Sequence, residues 1–96
     1  MKKITIIEAR QILKCLLVAD NQYLDKLAQT NDDELLKTDV RKAFNLDLNS
    51  LDLAAIDISL RRLYGIKLVY AKHSPFYYEP TVENFIKTVN AYGIQI

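Results

Sequence analysis

Cysteine and histidine occur once each, and tryptophan not at all, in 96 residues. A single cysteine excludes an intramolecular disulfide and any cysteine-based zinc cluster. The single histidine, His73, excludes the HExxH zinc motif and any multi-histidine site, and it reads as a loop residue. Two glycines and two prolines are too few for a loop-rich β-sandwich, a collagen-like chain or a disordered linker. Charge of one sign is missing as well: 13 Lys and Arg stand against 12 Asp and Glu, a net +1. That balance gives no bias toward nucleic acid, anionic membranes or basic partners. No uncharged apolar run reaches the ~18 residues of a transmembrane helix, so no membrane insertion is expected. The opening MKKITIIEARQILKCLLVAD has the basic start of a secretory leader in Lys2 and Lys3. Glu8, Arg10 and Lys14 then interrupt its apolar stretch, and no small-x-small cleavage site follows. The expected compartment is the cytoplasm, with Cys15 a free thiol. Among Ile12, Leu13, Leu16 and Leu17, Cys15 reads as a small buried core residue.

What is present fits one small domain. Half the residues are apolar and 26% are charged, ordinary proportions for a globular chain. A chain of this length buries roughly 60–68% of its unfolded surface, enough for one modest core. Apolar spacing is helical almost throughout. Ile6, Ala9, Leu13, Leu16 and Leu17 share one face of a first helix. Asp20-Asn21 either breaks that helix or is passed over, with Tyr23, Leu24, Leu27 and Ala28 continuing it. Asn31 to Glu34 is a polar start of the kind that opens a helix. The apolar anchors after it are irregular, so residues 31–49 read as a long loop with one or two helical turns.

Ser50 opens the clearest helix. Leu53, Ile56, Leu60 and Leu63/Tyr64 form its stripe, and Asp57 and Arg61 make an i, i+4 pair. Gly65 stands at the left-handed cap position. Ile66, Leu68 and Val69 suit a short extended segment, and YAKHSPFYYEP (residues 70–80) reads as an aromatic loop. Thr81 is a good N-cap for a last helix striped by Val82, Phe85, Ile86, Val89 and Tyr92, with Gly93 at its end.

The chemistry-bearing candidate is Ser50, in Asn49-Ser50-Leu51-Asp52. A serine between a long loop and a helix presents its hydroxyl where backbone N–H groups favour a phosphate. No base lies near it in sequence, so nothing makes it a catalytic nucleophile. Alternatively, Ser50 or Asn49 is simply the helix cap. Arg61 and Arg62 fit a solvated helix end, since cations suit a helix C-terminus.

The stretch LNSLDLAAIDISLRRLYGIKL resembles the core of the acyl carrier protein family. Ser50, Leu51 and Asp52 match the family's Asp-Ser-Leu-Asp motif. Ile56, Leu60 and Tyr64 match its helix stripe, and Gly65, Ile66 and Leu68 its end. Thr81-Val82-Glu83 resembles the start of the family's last helix, and Thr38-Asp39-Val40 with Leu46 the loop before the serine. The likeness covers residues 38–92; the first 37 match only as an apolar helix longer than usual. It implies a single all-α domain over residues 1–96. The fold would be an up-and-down four-helix bundle with one short helix and a long first loop. It implies a carrier rather than an enzyme, monomeric, with 4′-phosphopantetheine on Ser50 holding acyl or related thioester intermediates of fatty-acid, polyketide or related biosynthesis. Asn49, Leu51 and Asp52 would be its motif neighbours. The implied partners are a phosphopantetheinyl transferase, an acyl-loading enzyme and condensing or modifying enzymes.

The departures point to a specialised carrier. Asn49 replaces the family's Asp, and Asp47 stands where Gly is frequent. Asp52, Asp57, Arg61 and Arg62 sum to zero charge over residues 50–65, whereas the family's helix is acidic. Steering toward a basic partner is then weak, and Arg61 and Arg62 become candidate partner-recognition residues. A candidate acyl pocket comprises Ile56, Leu60, Phe85 and Ile86, with Phe76 and Tyr77 of the Phe76-Tyr77-Tyr78 run at its border. The rival reading is a carrier-like interaction module that is never modified.

Overall fold

The computed structural model describes residues 3–68 and 74–96. Its helices are α1 (Ile6–Leu16), α2 (Asn21–Gln29), α3 (Asp32–Leu36), α4 (Val40–Phe44), α5 (Ser50–Tyr64), α6 (Pro75–Tyr78) and α7 (Val82–Tyr92). Two short strands, β1 (Ile66–Leu68) and β2 (Gly93–Gln95), pair antiparallel with Ile66 opposite Gln95 and Leu68 opposite Gly93. The chain is mostly helical, as its apolar spacing requires. Its helices are more numerous and shorter than the expected three or four; β1 takes up the short extended segment expected at Ile66 and Leu68, and its pairing with β2 is additional.

Thr5 caps α1 by accepting a bond from the Ile7 amide at 3.3 Å. Ala9, Ile12, Leu13 and Leu17 are buried along one face. Cys15 is exposed, which corrects its assignment to the core. At about 100° per residue, position 15 points well away from the arc holding 9, 12, 13 and 16; apolar neighbours in sequence are not neighbours in space. Asp20 resolves the next ambiguity. It caps α2 through the Tyr23 amide, so the N-terminal region is two helices rather than one.

Arg10 then fastens α2 to α3. Its guanidinium donates to the carbonyls of Leu27 (2.7 Å) and Thr30 (3.0 Å) and to the Asp32 carboxylate (2.7 Å). Those carbonyls lie at the end of α2, where intrahelical donors run out. Asn31 and Asp39 cap α3 and α4. Two backbone bonds join the starts of α4 and α7: the Val40 amide to Pro80 O at 2.9 Å, and the Val82 amide to Thr38 O at 3.1 Å.

Along α5, Ile56 and Leu60 are buried and Tyr64 is half-buried, while Leu63 is exposed and leaves the stripe. Gly65, at φ 64°, ends the helix in the left-handed conformation that favours glycine. Within residues 74–80, Pro75–Tyr78 are helical rather than loop: Ser74 caps α6, with Pro75 at the first helical position. The readings made for Val69, for the loop residues from Tyr70 and for His73 lie outside the described residues. Thr81 caps α7, which buries Val82, Phe85, Thr88 and Val89 but leaves Tyr92 exposed. Buried Thr88 is satisfied by accepting a bond from the Phe76 amide at 3.2 Å. The core lies where α1, α5 and α7 meet, with α6 against α7.

Candidate functional site

Asn49, not Ser50, caps α5. Its side-chain oxygen accepts the Asp52 amide at 3.0 Å. Ser50 therefore occupies the first helical position, exposed, and its hydroxyl makes no hydrogen bond to the described residues. Helix geometry leaves the Ser50 and Leu51 amides without intrahelical acceptors. An anion attached at Ser50 would meet those donors and the positive end of a 15-residue helix. In that respect the residues present suit a phosphodiester.

Asp52 turns its charge the other way. One carboxylate oxygen accepts the Leu48 amide at 2.9 Å. That bond holds Leu48 at φ 55°, a left-handed conformation that costs about 1–2 kcal/mol in a residue bearing a Cβ. The strain has a location: the Leu48 side chain lines an apolar cavity two residues before Ser50.

The cavity is about 10 Å³, roughly room for one water. α1 contributes Ile12, Leu13 and Leu16; α4 contributes Val40; the following loop contributes Leu46 and Leu48. Ile56 of α5, Phe76 of α6, and Val82 and Phe85 of α7 complete it. Phe76 and Phe85 meet edge to face, 5.2 Å between centroids. Of the candidate pocket residues, Ile56, Phe76 and Phe85 line this space. Leu60 is buried elsewhere in the core, and Ile86 is only partly buried and does not line it. Tyr77 is 44% exposed and stacks edge-on against Tyr78 at the surface. The sequence reading missed Ile12, Leu13, Leu16, Val40, Leu46, Leu48 and Val82 as cavity residues. Only Leu46-Asp47-Leu48 carried a local signal, apolar residues alternating about a polar one just before the serine.

Arg61 and Arg62 are both exposed, but they are not equivalent. Arg61 is paired with Asp57 at 3.0 Å, and the same carboxylate accepts the Leu68 amide at 3.1 Å. Arg61 is thereby tied to the α5–β1 junction, and Arg62 has no ion pair among the described residues. Leu51 (79% exposed) and Ile58 (59% exposed) lie on one outward face of α5 with Arg62, at positions i, i+7 and i+11.

Among the described residues, Tyr64 titrates away from its ordinary range. Burial raises its phenol above the ordinary 10.0, and Glu8 and Cys15 of α1 push the same way. Tyr64 is a packing residue at the α1–α5 contact, remote from Ser50 along the helix. Among the described residues, no cluster of His, Cys, Asp and Glu could hold a metal, and no helix is long and apolar enough to cross a membrane. No family model, no curated protein and no solved structure matches the chain.

Proposed function

We propose that this chain is an acyl-carrier-like domain that carries thioester-linked acyl groups on a 4′-phosphopantetheine arm attached to Ser50. The observation that carries the reading is the exposed hydroxyl at the first position of α5, which makes no hydrogen bond to the described residues, within the Ser50-Leu51-Asp52 motif. Three arrangements support it. Asn49 takes over capping, which frees the serine. Leu48, two residues upstream, lines the apolar cavity. The long helices α1, α5 and α7 with short α6 suit a bundle of the carrier kind, in which α2–α4 occupy the long first connection.

In this reading the domain does no chemistry of its own. A phosphopantetheinyl transferase adds the arm, an acyl-loading enzyme charges its thiol, and condensing or modifying enzymes act on the cargo. Unloaded, the interior is nearly closed, so an acyl chain must displace side chains to gain shelter. The outward face Leu51–Ile58–Arg62 meets these partners. Its charge suits acidic or neutral surfaces, unlike the acidic helix of the general fatty-acid carriers. That same apolar face also suits the rival, an unmodified interaction module. Intact mass after incubation with coenzyme A and a transferase separates the two. The carrier gains one arm and Ser50→Ala gains none; a wild type unchanged by several transferases would favour the module.

A further inference from the structure

The end of α1, the start of α2 and the end of α4 border an open groove of about 260 Å³. Leu17 and Phe44, both buried, form its apolar floor with Leu16. Half-buried Tyr23 adds a second ring, and Asp20 and Asn45 supply the polar edge. We propose that this groove binds a small organic cation, a planar amidinium or guanidinium on a short apolar stem. The charge sits on Asp20 and the stem lies against Tyr23 and Phe44. No residue of the Asn49-Ser50-Leu51-Asp52 motif lines the groove, so the site stands whether or not Ser50 carries an arm.

Charge decides the class of ligand. The Asp20 carboxylate accepts one long bond, from the Tyr23 amide to Oδ1 at 3.4 Å. Its Oδ2 has no partner among the described residues, and the carboxylate makes no ion pair there. The backbone on either side is fixed: the Asp20 amide donates to Leu17 O at 2.9 Å, and the Leu24 amide to Asp20 O at 3.0 Å. The C-terminal end of the 11-residue α1 adds partial negative charge beside it. The opposite wall already takes a cation, since Lys26 Nζ donates to Ala43 O, one residue before Phe44, at 3.0 Å. Lys26 and Lys14, the latter in the last turn of α1, do not line the groove. The carboxylate thus faces the groove with no positive side chain among the lining residues. A carboxylate repels an anionic ligand, and aromatic faces attract a cation. A planar fork of N–H donors matches the two carboxylate oxygens. The volume exceeds the ~150 Å³ that holds a benzene-sized ligand, so one ring or short aliphatic stem finds apolar cover.

Benzamidinium chloride is the probe, with benzamide as its neutral isostere and sodium benzoate as its anionic one. Each is titrated into the unmodified protein and followed by methyl and aromatic NMR. Benzamidinium should shift Leu16, Leu17, Tyr23 and Phe44. It should bind about fivefold or more tightly than benzamide, the combined effect of an exposed ion pair and a cation–ring contact. Benzoate should bind weakest of the three. Asp20→Asn keeps the cap of α2, because Asn caps as well as Asp, and should cut the preference for benzamidinium over benzamide to about twofold or less. Tyr23→Leu should weaken benzamidinium about two- to fivefold. Asp25→Asn makes the same change of charge at an exposed residue of α2 outside the groove, and should leave the preference intact. Equal binding of benzamidinium and benzamide would overturn the proposal. So would equal losses in Asp20→Asn and Asp25→Asn, wild-type binding by Tyr23→Leu, or shifts at none of the four groove residues.

Discussion

At the head of α5 the Asn49 side chain takes the capping bond and the Ser50 hydroxyl takes none among the described residues. Stability should follow that division. Asn49→Ala should cost about 1 kcal/mol, the usual value of a lost cap. Ser50→Ala should stay within about 0.5 kcal/mol, as for a surface change away from special features. Urea denaturation of the two variants measures both, and equal losses would mean that the hydroxyl is structural after all. Gly93 is a different case. Its φ is ordinary, but a Cβ there would lie 2.5 Å from the Val89 carbonyl oxygen and 2.8 Å from the Ile66 side chain. Gly93→Ala should therefore destabilise by about 1–3 kcal/mol, as overpacking does. A thermal melt unchanged from wild type would contradict the close packing of the ribbon on α7. Local signals made Ser50, Asn49, Thr81 and Gly65 legible from sequence, because capping is decided within a few residues. Cys15 was not, because the identity of its neighbours hid its angular position on α1.

Helix α5 is anchored at its far end by Tyr64, whose phenol is held above its ordinary 10.0 by burial and then by Glu8 and Cys15. The sign of the linkage follows from that shift. Below about pH 10 the phenol is neutral in both folded and unfolded chains and the packing is intact. As pH rises through the raised folded value, the unfolded chain ionises first and the stability held by Tyr64 is lost. Tyr64→Phe keeps the ring and removes the titration, so its melting temperature should fall less than the wild type's between neutral pH and about pH 11. Equal alkaline losses would show that Tyr64 is solvated. The long elements α5 and α7 were readable because a full apolar stripe and a cap both marked them. Helices α3, α4 and α6, of four or five residues, are too short to show a period. Of the β1–β2 ribbon, the extended segment at Ile66 and Leu68 was readable but its partner was not: Gly93–Gln95 becomes a strand only by meeting Ile66–Leu68, a pairing distant in sequence.

Across the whole molecule, the apolar cavity was legible at Ile56, Phe76 and Phe85 and not in the walls from α1, α4 and the loop before Ser50. Those walls depend on how the N-terminal helices dock, which no local pattern states. Surface charge belongs to this scale as well. Arg61 is occupied by Asp57, so partner choice should rest on Arg62. Arg62→Glu should cost no more than about 1 kcal/mol, the helix-end charge effect, and should raise the rate with enzymes that recognise acidic carriers. Unaltered rates with every partner would make Arg62 a solvent-facing residue only. The central claim is that Ser50 carries an arm, and the most direct test is fragment mass analysis after incubation with coenzyme A and a phosphopantetheinyl transferase. Asn49→Asp belongs beside the wild type, since Asp caps equally well and restores the acid of the family motif. The account predicts one phosphopantetheine on the wild type, located at Ser50. A wild type left bare while Asn49→Asp is loaded, or an arm found on any other residue, would contradict it.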